Sequence, residues 1–165
     1  MKTLTTLILS IISLCVFSQD TKLIELEFNK LYESYCKTRS IKRERSDLLD
    51  SLIIVQVDYL STFTVDSQLT HNNTDLRYLT FSHRLSYFLG DFFFGGEVCA
   101  VIHDPTIKKQ TEKDIAKELF TNLCNSPPHK SIMMNRKLQI YQFGIGKYKD
   151  GSIFVVGVIL KDIRT

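Results

Sequence analysis

Glycine and proline are scarce in this sequence, seven and three in 165 residues, and cysteine occurs four times. That scarcity excludes a collagen-like or low-complexity chain, and four cysteines are too few for a disulfide-built miniprotein. An excess of one charge is missing too. With 21 Lys and Arg against 18 Asp and Glu the formal charge is +3, too even to indicate a nucleic-acid binder. The sequence also lacks H-E-x-x-H, G-x-S-x-G, a P-loop and G-x-G-x-x-G, which removes the common zinc-protease, α/β-hydrolase and nucleotide-binding signatures. Phe143-Gly144-Ile145-Gly146 holds a G-x-G, but within a strand pattern that opens no helix. What is present is 44% hydrophobic residues, enough to bury the core of one domain and to exclude a disordered tail.

The N-terminus has the parts of a secretory leader over residues 1–18. Lys2 is followed by an apolar run from Leu4 to Phe17, and Val16 and Ser18 suit a cut before Gln19. The run falls short of the roughly 20 residues a membrane span needs. Leu14 before Cys15 argues against lipid anchoring. A secreted or periplasmic protein is therefore expected, with no transmembrane helix in the mature chain. Loss of the leader leaves Cys36, Cys99 and Cys124, an odd number without metal-type spacing, read as unpaired and mostly buried thiols.

The rest reads as an N-terminal helix and basic link over 19–45, then a main domain over 46–165. Leu23, Leu26, Leu31 and Tyr35 recur at helical spacing, and the basic stretch Lys37 to Arg45 reads as a solvated link between helices. Ser46 is placed as the N-cap of a helix running to about Leu60, apolar on more than one face and so central and buried. A polar loop spans 66–80, and a helix is expected from Phe81 to Leu89, ending at Gly90. Phe92 to Ile102 reads as a strand whose diglycine suggests a bulge or a close backbone approach. Thr111-x-x-Asp114 opens a helix with a capping box, and Ser126-Pro127-Pro128-His129 opens the next. Leu138 to Lys147 and Ser152 to Leu160 form a hairpin through Lys149-Asp150-Gly151. Helices followed by a sheet make an α+β domain.

Three residues stand out chemically. His71 lies in the polar loop, Glu97 is a charge among apolar strand neighbours that needs a partner, and His129 sits in the first turn of a helix. The helix dipole there favours neutral imidazole, and two imidazoles with a carboxylate make a three-ligand metal set with an open position. Ser126, as N-cap, is expected to spend its hydroxyl on backbone N–H groups. His83 and His103 read as surface positions.

In order along the chain, Leu69-Thr70-His71, Phe81-Ser82-His83-Arg84, Gly95-Gly96-Glu97-Val98, Asn125-Ser126-Pro127-Pro128-His129, Phe143-Gly144-Ile145-Gly146 and Ile153-Phe154-Val155-Val156-Gly157-Val158 resemble the CAP superfamily. Those are the cysteine-rich secretory, antigen 5 and pathogenesis-related proteins, or SCP domains, here of the compact bacterial type. The resemblance implies a three-layer α-β-α sandwich with a central antiparallel sheet and a cleft bordered by His71, Glu97 and His129. Arg84 would brace the loop. Val98 stands where the family has Asn, Leu123 where many members have Trp, and the second acid has only Glu112 and Glu118 as candidates.

The expected function is a secreted, non-enzymatic binding module whose cleft takes a small ligand, a lipid, a protein or a divalent metal such as zinc. One alternative is a peptidase-like hydrolase using Glu97 or a cleft histidine as general base. Another is an interaction domain with a vestigial cleft.

Overall fold

The computed structural model describes residues 19–64, 69–103, 105 and 107–164. The expected leader, 1–18, lies outside the described residues. In chain order the elements are α1 (Thr21–Thr38), β1 (Glu44–Arg45), a 3-10 turn at Asp47–Leu49, α2 (Asp50–Ser61) and α3 (Phe81–Leu89). Then come β2 (Phe93–Ile102), a second 3-10 turn at Ile107–Lys109, α4 (Glu112–Asn125), α5 (Pro127–Met134), β3 (Ile140–Lys147) and β4 (Ile153–Asp162). The fold is α+β.

One sheet runs in the order β1-β3-β4-β2. The pairings β2–β4 and β3–β4 are antiparallel, while β1 adds two residues in parallel to β3, so the sheet is mixed. Side chains alternate along a strand, and β4 sends its residues into two separate cores. Ile153, Val155 and Ile159 join Ile24, Phe28 and Tyr32 of α1, Ile115, Leu119 and Leu123 of α4 and Met133 of α5. Phe154, Val156, Val158 and Leu160 pack with Leu49 and with Leu52, Ile53 and Leu60 of α2. Each large side chain so buried is worth about 1.5–3 kcal/mol.

Several local expectations need correcting. On α1, Leu23 and Leu26 are half exposed, and the buried stripe is Ile24, Phe28, Tyr32 and Tyr35. The i, i+4 run of large side chains fills more volume than the leucines would. Asp20 caps this helix by accepting from the backbone N–H of Lys22 and Leu23. The Ser46 segment begins as the 3-10 turn, and Ser46 makes no capping bond. Helix α2 is not central: Ile54 is 55% exposed, and only one face is buried.

The basic stretch is not simply a solvated link. Arg43 donates to the carbonyls of Ile132, Met133 and Asn135 at the end of α5 and to that of Leu138. A guanidinium there satisfies orphan carbonyls and meets the negative end of the helix dipole. Arg45, in β1, bonds Gln142 Oε1 and Glu25.

Other features match. Helix α3 ends at Gly90, whose φ of +73° suits a residue without Cβ. The Thr111–Asp114 capping box is formed. The diglycine serves close approach with no bulge, since β2 pairs with β4 in unbroken register. Among the described residues no helix is long and apolar enough to cross a membrane.

Candidate functional site

Strand β2 lies at one end of the sheet order, and the site forms along it. From one side comes the loop before α3. Gln56 of α2 donates to the Thr70 carbonyl at 2.8 Å, and the Asn73 N–H donates to the Leu79 carbonyl at 2.9 Å, closing the loop on itself. Arg84 then locks it. This arginine is fully buried, and its Nη1 donates to the carbonyls of His71 and Tyr78, both at 3.0 Å. Its Nη2 donates to the His71 carbonyl at 3.1 Å and to Glu97 Oε2 at 2.6 Å. The bracing role implied by the resemblance is thus accompanied by an ion pair with the strand.

Glu97 has the partners its position demanded. Oε2 takes Arg84, and Oε1 lies 2.9 Å from His71 Nδ1. A buried carboxylate survives when paired and hydrogen-bonded on both oxygens. Nδ1 of His71 is engaged by Glu97, and the His71 side chain is 43% exposed.

From the other side comes α5. Gly96 permits this approach: a Cβ on it would lie 2.6 Å from Ile132 Cδ1. Ile132 and His129 are three apart on α5 and share a face. The His71 and His129 ring centroids are 5.9 Å apart. Ser126 is the N-cap of α5 by position, but its hydroxyl makes no capping bond, contrary to expectation.

The expected metal set of His71, Glu97 and His129 is altered. The donor atoms that converge, all within 4.8 Å of one another, belong to His71, Cys99 and His129. Glu97 stands behind them, its two oxygens engaged by Arg84 and His71. Neither Glu112 nor Glu118 belongs to the cluster; Glu118 accepts from Gln110 at 2.6 Å.

Cys99 is the residue that sequence reasoning missed. Its signal was the spacing to Glu97: residues i and i+2 on a strand share a face. Cys99 Sγ lies 3.5 Å from His71 Nε2 and 3.9 Å from Nδ1. Cys36, Cys99 and Cys124 are all free thiols, the first two buried and the third half-buried.

The electrostatics split the two histidines. Hydrogen bonding with Cys99, then with Glu97, raises His71 to about 10 against the opposing cost of burial. His129 is lowered, first by burial and then by the charge of His71. The lowering agrees with the expectation of a neutral imidazole, though its causes are not the helix dipole. His83 and His103 are exposed, as expected.

No protein-family model matches this chain, and no curated protein matches it. Its fold is similar to that of an outer surface protein from Borrelia burgdorferi, with a TM-score of 0.64 over 87% of this chain and 96% of that one. The identity is 19%, so the likeness is one of fold.

Proposed function

We propose that the protein is an exported binding module of the CAP type, a three-layer α-β-α sandwich whose cleft holds a divalent metal ion of the zinc class through His71, Cys99 and His129. The observation that carries this reading is the convergence of those three donors within 4.8 Å beside a histidine already oriented by a carboxylate. Zinc bonds of about 2.3 Å to sulfur and 2.0 Å to nitrogen at a tetrahedral angle put S and N about 3.5 Å apart. The Sγ to Nε2 distance of 3.5 Å fits that edge. Glu97 would act behind the metal, fixing the His71 tautomer, as carboxylates commonly do for metal-bound imidazole. Thiolate and imidazole donors suit zinc over magnesium or calcium, which take oxygen ligands.

Two further observations support the wider reading. The sequence segments that resemble the CAP superfamily include His71, Arg84, Glu97 and His129, four residues that meet at one site: Arg84 and His71 each contact Glu97, and the His129 ring lies 5.9 Å from that of His71. The structural neighbour is an outer surface protein, in keeping with export. A metal-binding module without catalysis accounts for a site with no second acid.

Calorimetric titration with zinc tests the reading. One saturable site in the wild type, lost in the double variant His71→Ala, His129→Ala and in Cys99→Ser, is the expected result. Heats that are the same in all three proteins would overturn it.

A further inference from the structure

We propose that the outer edge of β3 is a docking groove for an extended segment of another protein, one that carries basic residues among apolar ones and adds to the sheet as a further strand. The groove lies at the β1–β3 end of the sheet order, away from β2 and the metal site, and the inference does not depend on metal binding.

Strand β3 has eight residues, but β1 pairs with only Ile140 and Tyr141. Among the described residues no strand lies beside Gln142–Lys147 on that side, although all six pair with β4 on the other. Two backbone bonds show which groups face outward. The Ser46 N–H donates to the Tyr141 carbonyl at 3.0 Å on the β1 side, and the Tyr148 N–H donates to the Ser152 carbonyl at 2.8 Å on the hairpin side. Backbone groups alternate between the two sides of a strand, so Phe143, Ile145 and Lys147 turn theirs away from β4. The Phe143 N–H meets a side chain there, Gln142 Oε1 at 3.3 Å, in place of a strand. Beyond the strand, the Lys149 N–H donates to the Phe63 carbonyl at 3.0 Å, which closes the far end of the edge.

The open stretch is the floor of a cavity of about 410 Å³ walled by α1 and α2. Ile53, Ile54 and Val57 make the α2 wall apolar, and Ile54 is mostly exposed. Gly144 lets that wall come down onto the strand, since a Cβ there would lie 2.3 Å from Ile53 Cγ2. The charged lining is Lys22, Glu25, Arg45, Asp47, Asp50 and Asp58. Glu25 takes Arg45 at 2.9 Å, which leaves three aspartates, one of them bonded to Gln142, against a single lysine. This local surplus is negative on a chain whose formal charge is +3, so the matching occupant carries lysine or arginine. A second copy docked edge to edge would set aspartates against aspartates and helix walls against helix walls. A single extended segment avoids both. Its backbone bonds β3, and its alternate side chains fall between the walls.

The test is titration of the full chain with a labelled heptapeptide of alternating valine and lysine, read by fluorescence anisotropy, with amide hydrogen exchange to place the contact. In the free protein the Ile145 and Lys147 amides should exchange faster than those of Gly144 and Gly146, which face β4. Saturating peptide should slow Ile145 and Lys147 and leave the two glycines as they were. The exposed pair of substitutions Asp47→Lys, Asp58→Lys should weaken binding about tenfold. The same peptide N-methylated throughout has no backbone donor and should not bind. Absence of saturable binding, equal binding of the methylated peptide, an unchanged affinity in the double variant, or protection away from β3 would overturn the proposal. So would slow exchange at Ile145 and Lys147 in the free protein, since a second copy or another part of this chain would then already cover the edge.

Discussion

Arg84 and Glu97 meet at 2.6 Å with side chains 0% and 2% exposed, and this pair joins the His71 loop to strand β2. Neither charge has access to water, so each depends on the other. Removing one partner leaves an uncompensated buried charge, at a cost of about 3–5 kcal/mol. Arg84→Ala is expected to lower the unfolding free energy by that amount in urea titration. It should also free His71, which loses its backbone clamp. A loss under about 1 kcal/mol would show that the pair is not what holds the loop.

Adjacent glycines should respond differently to alanine. A Cβ on Gly95 would lie 2.1 Å from the Ile159 carbonyl oxygen, which is backbone in the paired strand and cannot move alone. Gly95→Ala is expected to cost about 1–3 kcal/mol through strain across β2 and β4. At Gly96 the obstacle is the tip of the Ile132 side chain, which can rotate away. Gly96→Ala should therefore cost less stability than Gly95→Ala and leave zinc binding through His129 close to that of the wild type. Thermal melts and zinc titrations of both variants check the pair of outcomes.

The histidines should titrate apart. His71 is raised to about 10 from an ordinary 6.5, so its contribution to stability is fully present below pH 6.5 and is lost as pH rises through about 10. Urea unfolding of wild type and His71→Gln at pH 6 and pH 10 should show the wild-type advantage shrinking at the higher pH. An equal advantage at both would contradict the assignment. His129, lowered, should be uncharged at a pH where His71 still carries its proton, a difference that histidine NMR titration reads directly.

Glu97 holds His71 from behind, so its loss should weaken zinc without removing a ligand. Glu97→Gln is expected to lower zinc affinity about 10–100-fold, the range for carboxylates that orient a metal-bound histidine. Competition titration with a chelating dye measures it. An affinity loss equal to that of Cys99→Ser would instead make Glu97 a direct ligand.

Much of the fold was legible because it rests on local rules. Helix α3 ended at Gly90, α4 began at its capping box, and the C-terminal hairpin fell at its Lys149-Asp150-Gly151 turn, each from residues within a few positions of one another. The face of α1 was misread since Leu23 and Leu26 fit helical periodicity as well as Ile24 and Phe28 do. Periodicity finds a stripe, and only the packing partner selects between two. Arg43 looked like one solvated charge among several, because its carbonyl acceptors lie about 90 residues away along the chain.

The site divides in the same way. His71, Glu97, His129 and Arg84 could be named from the sequence because a buried charge must find a partner and because their segments resemble a known series. That Cys99 joins the two histidines while Glu97 steps back could not be named. Whether a carboxylate binds a metal or orients the group that does depends on what occupies its oxygens, and Arg84 takes one of them. The scarcity of cysteine, glycine and proline and the even charge had already excluded a stapled, fibrous or nucleic-acid-binding chain, since composition alone bounds those classes. Which of the few cysteines matters was decided by tertiary structure, because a thiol becomes a ligand only through what the fold sets beside it.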